Sequence, residues 1–191
     1  MNRFKPILLF YYLALSTLAI GQDSETQNSI RTEYGVARTG SGDLPGYTLY
    51  VEYARSIADR LTIGPAIGVL NFSAVHSTLY RQSYARSIDL TFYYYPIKGD
   101  FFKLELGAGV LYRNWQFHIA TGPNLGYTDS DISVEPSSFG SYSKNTIGYT
   151  VSAGTIFTLS RIVDMPLRIV LQNDSNADLT LSARIGLRVN F

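Results

Sequence analysis

Residues 179–191, LTLSARIGLRVNF, separate in steps of two into rows of opposite chemistry. Leu179, Leu181, Ala183, Ile185, Leu187, Val189 and Phe191 form an apolar row, and Thr180, Ser182, Arg184, Gly186, Arg188 and Asn190 a polar one. Successive side chains of a β-strand point to opposite faces, so this stretch reads as a strand with one greasy face and one wet face. Chain ends are ordinarily frayed and polar. A bare aromatic at Phe191 therefore marks the last strand as one held in place up to its final residue.

The same alternation recurs upstream over about 29–38, 46–56, 61–72, 84–95, 101–115, 146–159 and 166–173, which gives eight strands. In the fourth, for example, Ile88, Leu90, Phe92 and Tyr94 oppose Ser87, Asp89, Thr91 and Tyr93. The connections alternate too. Short turns fall near 57–60, 96–100 and 160–165, and longer loops over about 39–45, 73–83, 116–145 and 174–178. Short turns at one end and longer loops at the other is the layout of a transmembrane barrel. The expected fold is all-β: an eight-stranded antiparallel up-and-down transmembrane β-barrel.

Alternation alone does not say which face points in. The chain carries a net charge of +1, and only 16% of its residues are charged. A water-facing surface wants roughly 25–35% charged residues, and the polar face here is made mostly of Gly, Ser, Thr and Tyr. Turned inward, that face brings Glu33, Glu52, Asp89 and Glu105 together with Arg31, Lys103, Arg168, Arg184 and Arg188. Such a set is nearly neutral and can pair, as buried charges must. The aromatics agree with this orientation. Tyr53, Tyr94, Phe102, Phe157 and Phe191 lie near the short-turn ends of strands, and Tyr47, Tyr84, Tyr112, Trp115 and Tyr149 near the loop ends, as two interfacial belts would.

The start of the chain supplies a context for this reading. A basic head, MNRFK, precedes the uncharged run PILLFYYLALSTLAI, and Ala19 and Gly21 stand where a signal peptidase wants small residues. Residues 1–21 are expected to be a cleaved signal peptide and 22–191 the barrel domain. The run is shorter than a membrane-spanning helix usually needs. With these features in place, RIGLRVNF resembles the C-terminal assembly signal of bacterial outer-membrane barrels, carried by Arg184, Gly186, Val189 and Phe191. The chain resembles the small outer-membrane β-barrels of the OmpA/OmpX type over nearly its whole length. The resemblance implies residence in the bacterial outer membrane with both termini periplasmic, and reading of the Phe191 strand by the barrel-assembly machinery.

No catalytic set stands out in the sequence. A charge balance this even gives no reason to bind nucleic acid, and the absence of cysteine removes disulfides and thiol chemistry. NDSNAD at 173–178 resembles the His-x-Ser-Asn-Ala motif of lipid A deacylases, with Asn173 where the base should be. An amide takes no proton at neutral pH, so Ser175 lacks an activator there. His76 and His118 both fall near the loop end without a carboxylate at a telling spacing. Asp129, Asp131 and Glu135 lack the glycine and terminal glutamate of a calcium loop. The repeat YARSI at 53–57 and 84–88 extends no further and reads as coincidence. No catalytic, cofactor-binding or metal-ligating residue is nominated. The expected role is structural or surface-interacting, as a monomer in outer-membrane lipid with an extracellular partner for the 116–145 loop. A narrow solute channel and a lipid A-modifying enzyme stand as alternatives.

Overall fold

A computed structural model describes residues 28–40, 44–76, 79–121, 125–128, 131–134, 139–175 and 179–191. Its strands are β1 (Asn28–Thr39), β2 (Pro45–Ala58), β3 (Leu61–His76), β4 (Leu79–Lys98), β5 (Phe102–Thr121), β6 (Leu125–Thr128), β7 (Asp131–Val134), β8 (Phe139–Thr158), β9 (Val163–Asp174) and β10 (Leu179–Asn190). Eight of them close into one antiparallel barrel, each beside its chain neighbour, with β5 passing directly to β8. β6 and β7 form a separate two-stranded ribbon. The seam joins β1 to β10, from Ser29 opposite Asn190 to Thr39 opposite Thr180.

The two faces divide as the period-two pattern requires. In β1 Ile30, Tyr34 and Val36 are exposed outside while Arg31 and Glu33 are buried inside. The outer apolar band includes Ile88, Phe92, Val110, Ile147, Ile169 and Leu187, with Ile147 as much as 70% exposed. Burial is thus inverted relative to a water-soluble domain. Arginine and glutamate are buried at mid-barrel, where isoleucine and phenylalanine such as Ile88 and Phe92 are exposed.

At the short-turn end the chain reverses on local hydrogen bonds. Lys98 Nζ donates to both the carbonyl and the carboxylate of Asp59 at 2.8 Å. That bond and the lysine's charge hold the Asp59 carboxyl below the usual aspartate range. The amides of Ile162 and Val163 donate to Ser160 Oγ at 3.3 and 3.1 Å, closing the β8–β9 turn.

The loop end departs from expectation. Residues 73–76 and 79–83, expected as loop, are strand: β3 and β4 stay paired as far as His76 opposite Leu79. Within 116–145, residues 116–121 and 139–145 continue β5 and β8, paired up to Ala120 opposite Phe139. By contrast, β2 leaves β3 at Gly46 opposite Phe72, and β9 leaves β8 at Gly148 opposite Asp174. The barrel therefore has a low rim over β1, β2, β9 and β10 and a raised wall of β3, β4, β5 and β8. Period-two polarity vanishes in the raised part because both of its faces lie outside the apolar band.

Candidate functional site

The lumen is built in layers from the inward row. In the middle layer Arg31 donates from Nη1 to both oxygens of Glu105 at 2.9 and 3.0 Å and from Nε to Glu52 at 3.1 Å. Arg168 donates from Nε to Glu33 at 2.7 Å and from Nη1 to the Tyr93 hydroxyl at 2.7 Å, while that hydroxyl donates to Glu52. Tyr95 adds a bond to Glu105 at 3.1 Å. All of these side chains are buried. The guanidiniums of Arg31 and Arg168 lie 4.8 and 5.3 Å from the Tyr93 ring centre, so the ring is held by cations as well as by its hydroxyl.

Glycine makes room for this ring. Tyr93 stands directly opposite Gly107 across the β4–β5 ladder, and a Cβ at Gly107 would lie 2.8 Å from the ring. Tyr50 repeats the arrangement over Gly68 on β3, with the Arg184 guanidinium 3.8 Å from its ring centre. A large inward aromatic beside a bare backbone position fills the strongly curved wall without a clash.

The next layer toward the loops centres on Gln172. Its Nε2 donates to Asp89 at 2.8 Å, and its Oε1 accepts from Arg113 Nη2 at 2.8 Å and Arg184 Nη2 at 3.3 Å. Between this layer and the middle one lies a polar cavity of about 10 Å³ lined by Tyr50, Glu52, Asp89, Tyr93, Arg168 and Arg184 among others. That is room for about one water molecule. Toward the short turns, Asn190 Nδ2 donates to Asp164 at 2.9 Å, and Arg188 lies 3.8 Å from the same carboxylate.

An aromatic stack closes the loop end. Trp115 Nε1 donates to Asp174 at 2.8 Å, and the rings of Phe72, Trp115, Phe117 and Tyr142 follow one another at centroid spacings of 6.0, 5.4 and 4.7 Å. Trp115 is buried. Its placement in the outer belt is corrected: it shares the inward parity of Arg113 and Leu111 on β5. Tyr47, Tyr112 and Tyr149 do face outward.

Of the nine inward charges expected, the four acids and Arg31, Arg168, Arg184 and Arg188 are buried inside, whereas Lys103 is only half-buried. Sequence reasoning left Arg113, Asp164 and Asp174 out of that set. Arg113 shares the parity of Glu105 on its strand, and the two aspartates fall in the expected 160–165 turn and 174–178 loop, just outside the expected strands. Asn173 faces outward and donates to the Tyr149 hydroxyl at 3.3 Å, and the Ser175 amide bonds to the Ile147 carbonyl. Backbone register sets His118 opposite Gln82 and Ser141, and His76 opposite Leu79, on strands separated by β4. Asp129 and Glu135 lie outside the described residues, among which no acid and histidine cluster suits a metal. An apolar concavity of about 760 Å³ lies on the outer face over Gly107, Ala108 and Ala153.

The barrel fold has counterparts among solved structures. Neisserial surface protein A aligns with a TM-score of 0.57 at 16% identity, covering 88% of this chain and 98% of that one. Ail, the attachment invasion locus protein of Yersinia pestis, aligns at 0.56 and 12% identity over 88% of this chain and all of its own. The fold is that of the small outer-membrane barrels. A major outer-membrane protein of Thermus thermophilus shares the outer-membrane barrel fold at a TM-score of 0.55 and 13% identity, over 86% and 99% of the two chains. A second Ail structure holds the heparin analogue sucrose octasulfate. No protein-family model and no curated protein sequence matches the chain.

Proposed function

We propose that the protein is a bacterial outer-membrane barrel whose wall is a sealed scaffold and whose function is surface interaction at the loop end. The single observation that carries this reading is the filled lumen. Arg31, Arg168, Arg184 and Arg113 are tied to carboxylates, Tyr93 and Gln172 from wall to wall, and the cavity between their layers has room for about one water. Eight strands leave interior space only for side chains. The apolar outer band with its tyrosines supports residence in lipid. The same fold in Ail supports a surface role, since Ail has been seen holding a heparin analogue.

The rest of the assignment follows from this reading. Residues 1–21 are removed on export, and the mature chain starts at Gln22. Both chain ends face the periplasm, because the even number of strands returns β10 to the side from which β1 leaves. The Phe191 strand is handed to the barrel-assembly machinery. Planar-bilayer recording of the purified protein tests the sealed scaffold: the expected trace is silent, and steady, size-selective conductance overturns the reading in favour of a channel. N-terminal sequencing of the mature protein tests the processing site.

A further inference from the structure

The raised wall ends in a backbone edge to which no described strand of the barrel pairs. β9 leaves β8 at Gly148, so among the described residues no strand pairs with 139–147 on that side. The Ile147 carbonyl points that way, since it accepts from the Ser175 amide at 2.9 Å. N–H and C=O of one strand residue point to the same side and alternate along the chain. Phe139, Ser141, Ser143 and Asn145 therefore direct their backbone donors and acceptors into the open edge. Natural edges are blunted with proline or several charges. This one reads FGSYSKNTI, with no proline and one charge.

We propose that this edge of β8 pairs antiparallel with the same edge of a second copy whose barrel sits in a facing membrane. The proposal rests on the membrane reading above. Pairing about Ser143 sets Ser143 against itself and Ser141 against Asn145 of the copy, all of them residues whose backbone groups face the edge. It also sets Tyr142 opposite Lys144 of the copy, and Lys144 opposite its Tyr142. These are non-hydrogen-bonded pairs, the closest kind at about 4.5 Å between Cα atoms. Tyr142 is 52% exposed and Lys144 is exposed on the same side of the strand, so the edge meets itself in two aromatic–cation contacts. Centring one residue further along, on Lys144, would oppose two like charges.

Strand direction fixes where the copy lies. β8 runs from the loop end down into its barrel, so an antiparallel β8 runs up into a barrel on the opposite side. Two copies in one membrane present parallel edges instead. A parallel ladder staggers its bonding residues by one, so identical edges related by a two-fold axis do not meet in it.

The test reconstitutes the full mature chain into two vesicle populations with different lipid dyes and different affinity tags. Tethering is expected only when both populations carry the protein. Ser143→Pro, which removes a central edge donor, is expected to lower tethering at least tenfold while the gel shift on boiling is unchanged. Because the chain has no cysteine, Ser143→Cys reports pairing directly: hydrogen-bonded pairs sit about 5.5 Å apart at Cα, within disulfide reach, and oxidation should link one tag to the other. Tethering to protein-free vesicles, links confined to one population, wild-type tethering by Ser143→Pro, or no tethering by a correctly inserted barrel would each overturn the proposal. Flotation of the vesicles reports membrane insertion separately.

Discussion

At the scale of single residues, the lumen is a set of charges that are stable only together. Glu105 accepts from Arg31 twice and from Tyr95, with Arg168 at 3.5 Å. Glu105→Gln keeps the shape and removes the charge, which leaves Arg31 with Glu52 and Glu33 but without its two-pronged partner. Breaking a buried pair from one side costs about 3–5 kcal/mol. The expected loss is at the low end of that range, read from urea unfolding of the barrel in lipid vesicles. Tyr93→Phe removes a hydroxyl that donates to Glu52 and accepts from Arg168. Leaving both partners short costs about 1–3 kcal/mol, and the same unfolding curve should register it. The sequence made Tyr93 legible through parity, since its neighbour Tyr94 belongs to the apolar row. Trp115 has a residue type that suits an interface belt, but its parity with Arg113 turns it inward.

At the scale of elements, strand identity was legible wherever two different solvents faced the two sides of the wall. β1, β2 and β10 were placed almost to the residue because lipid on one side and a charged lumen on the other force alternation. The upper parts of β3, β4, β5 and β8 have no such contrast, and Ser73, Gln82, Gln116 and Ser143 read as loop although they are paired backbone. The site was legible to a lesser degree, as a list of charges on one row. Their partners depend on cross-barrel distances that no single strand encodes. Element-level tests follow from the ladder. Gly107→Leu places a branched side chain where the Tyr93 ring lies, and the fraction of protein that shifts on boiling should fall sharply, with Gly107→Ala intermediate. Phe191 and Asn28 exchange backbone bonds of 2.9 and 3.0 Å at the seam. Replacing Phe191 with Asp should reduce inserted barrel in outer-membrane fractions while export continues. Normal insertion would show that the terminal aromatic is incidental.

At the scale of the whole molecule, the protein is inside-out: ionic within and apolar without. Transfer to water without detergent should therefore aggregate it, and a freely soluble, monomeric periplasmic form would contradict the orientation argued here. The seam carries a kinetic consequence. Ser29 pairs with Asn190 and Thr39 with Thr180, so the contacts that shut the sheet join residues nearly a full chain length apart. Folding slows as contacts become more distant in sequence. A nascent chain cannot close this sheet while β10 is still unmade, and every partial assembly carries two unpaired edges that invite aggregation. The polypeptide must then be kept unfolded until its last strand is available, so the time it spends in escort is set by its topology and not by its stability.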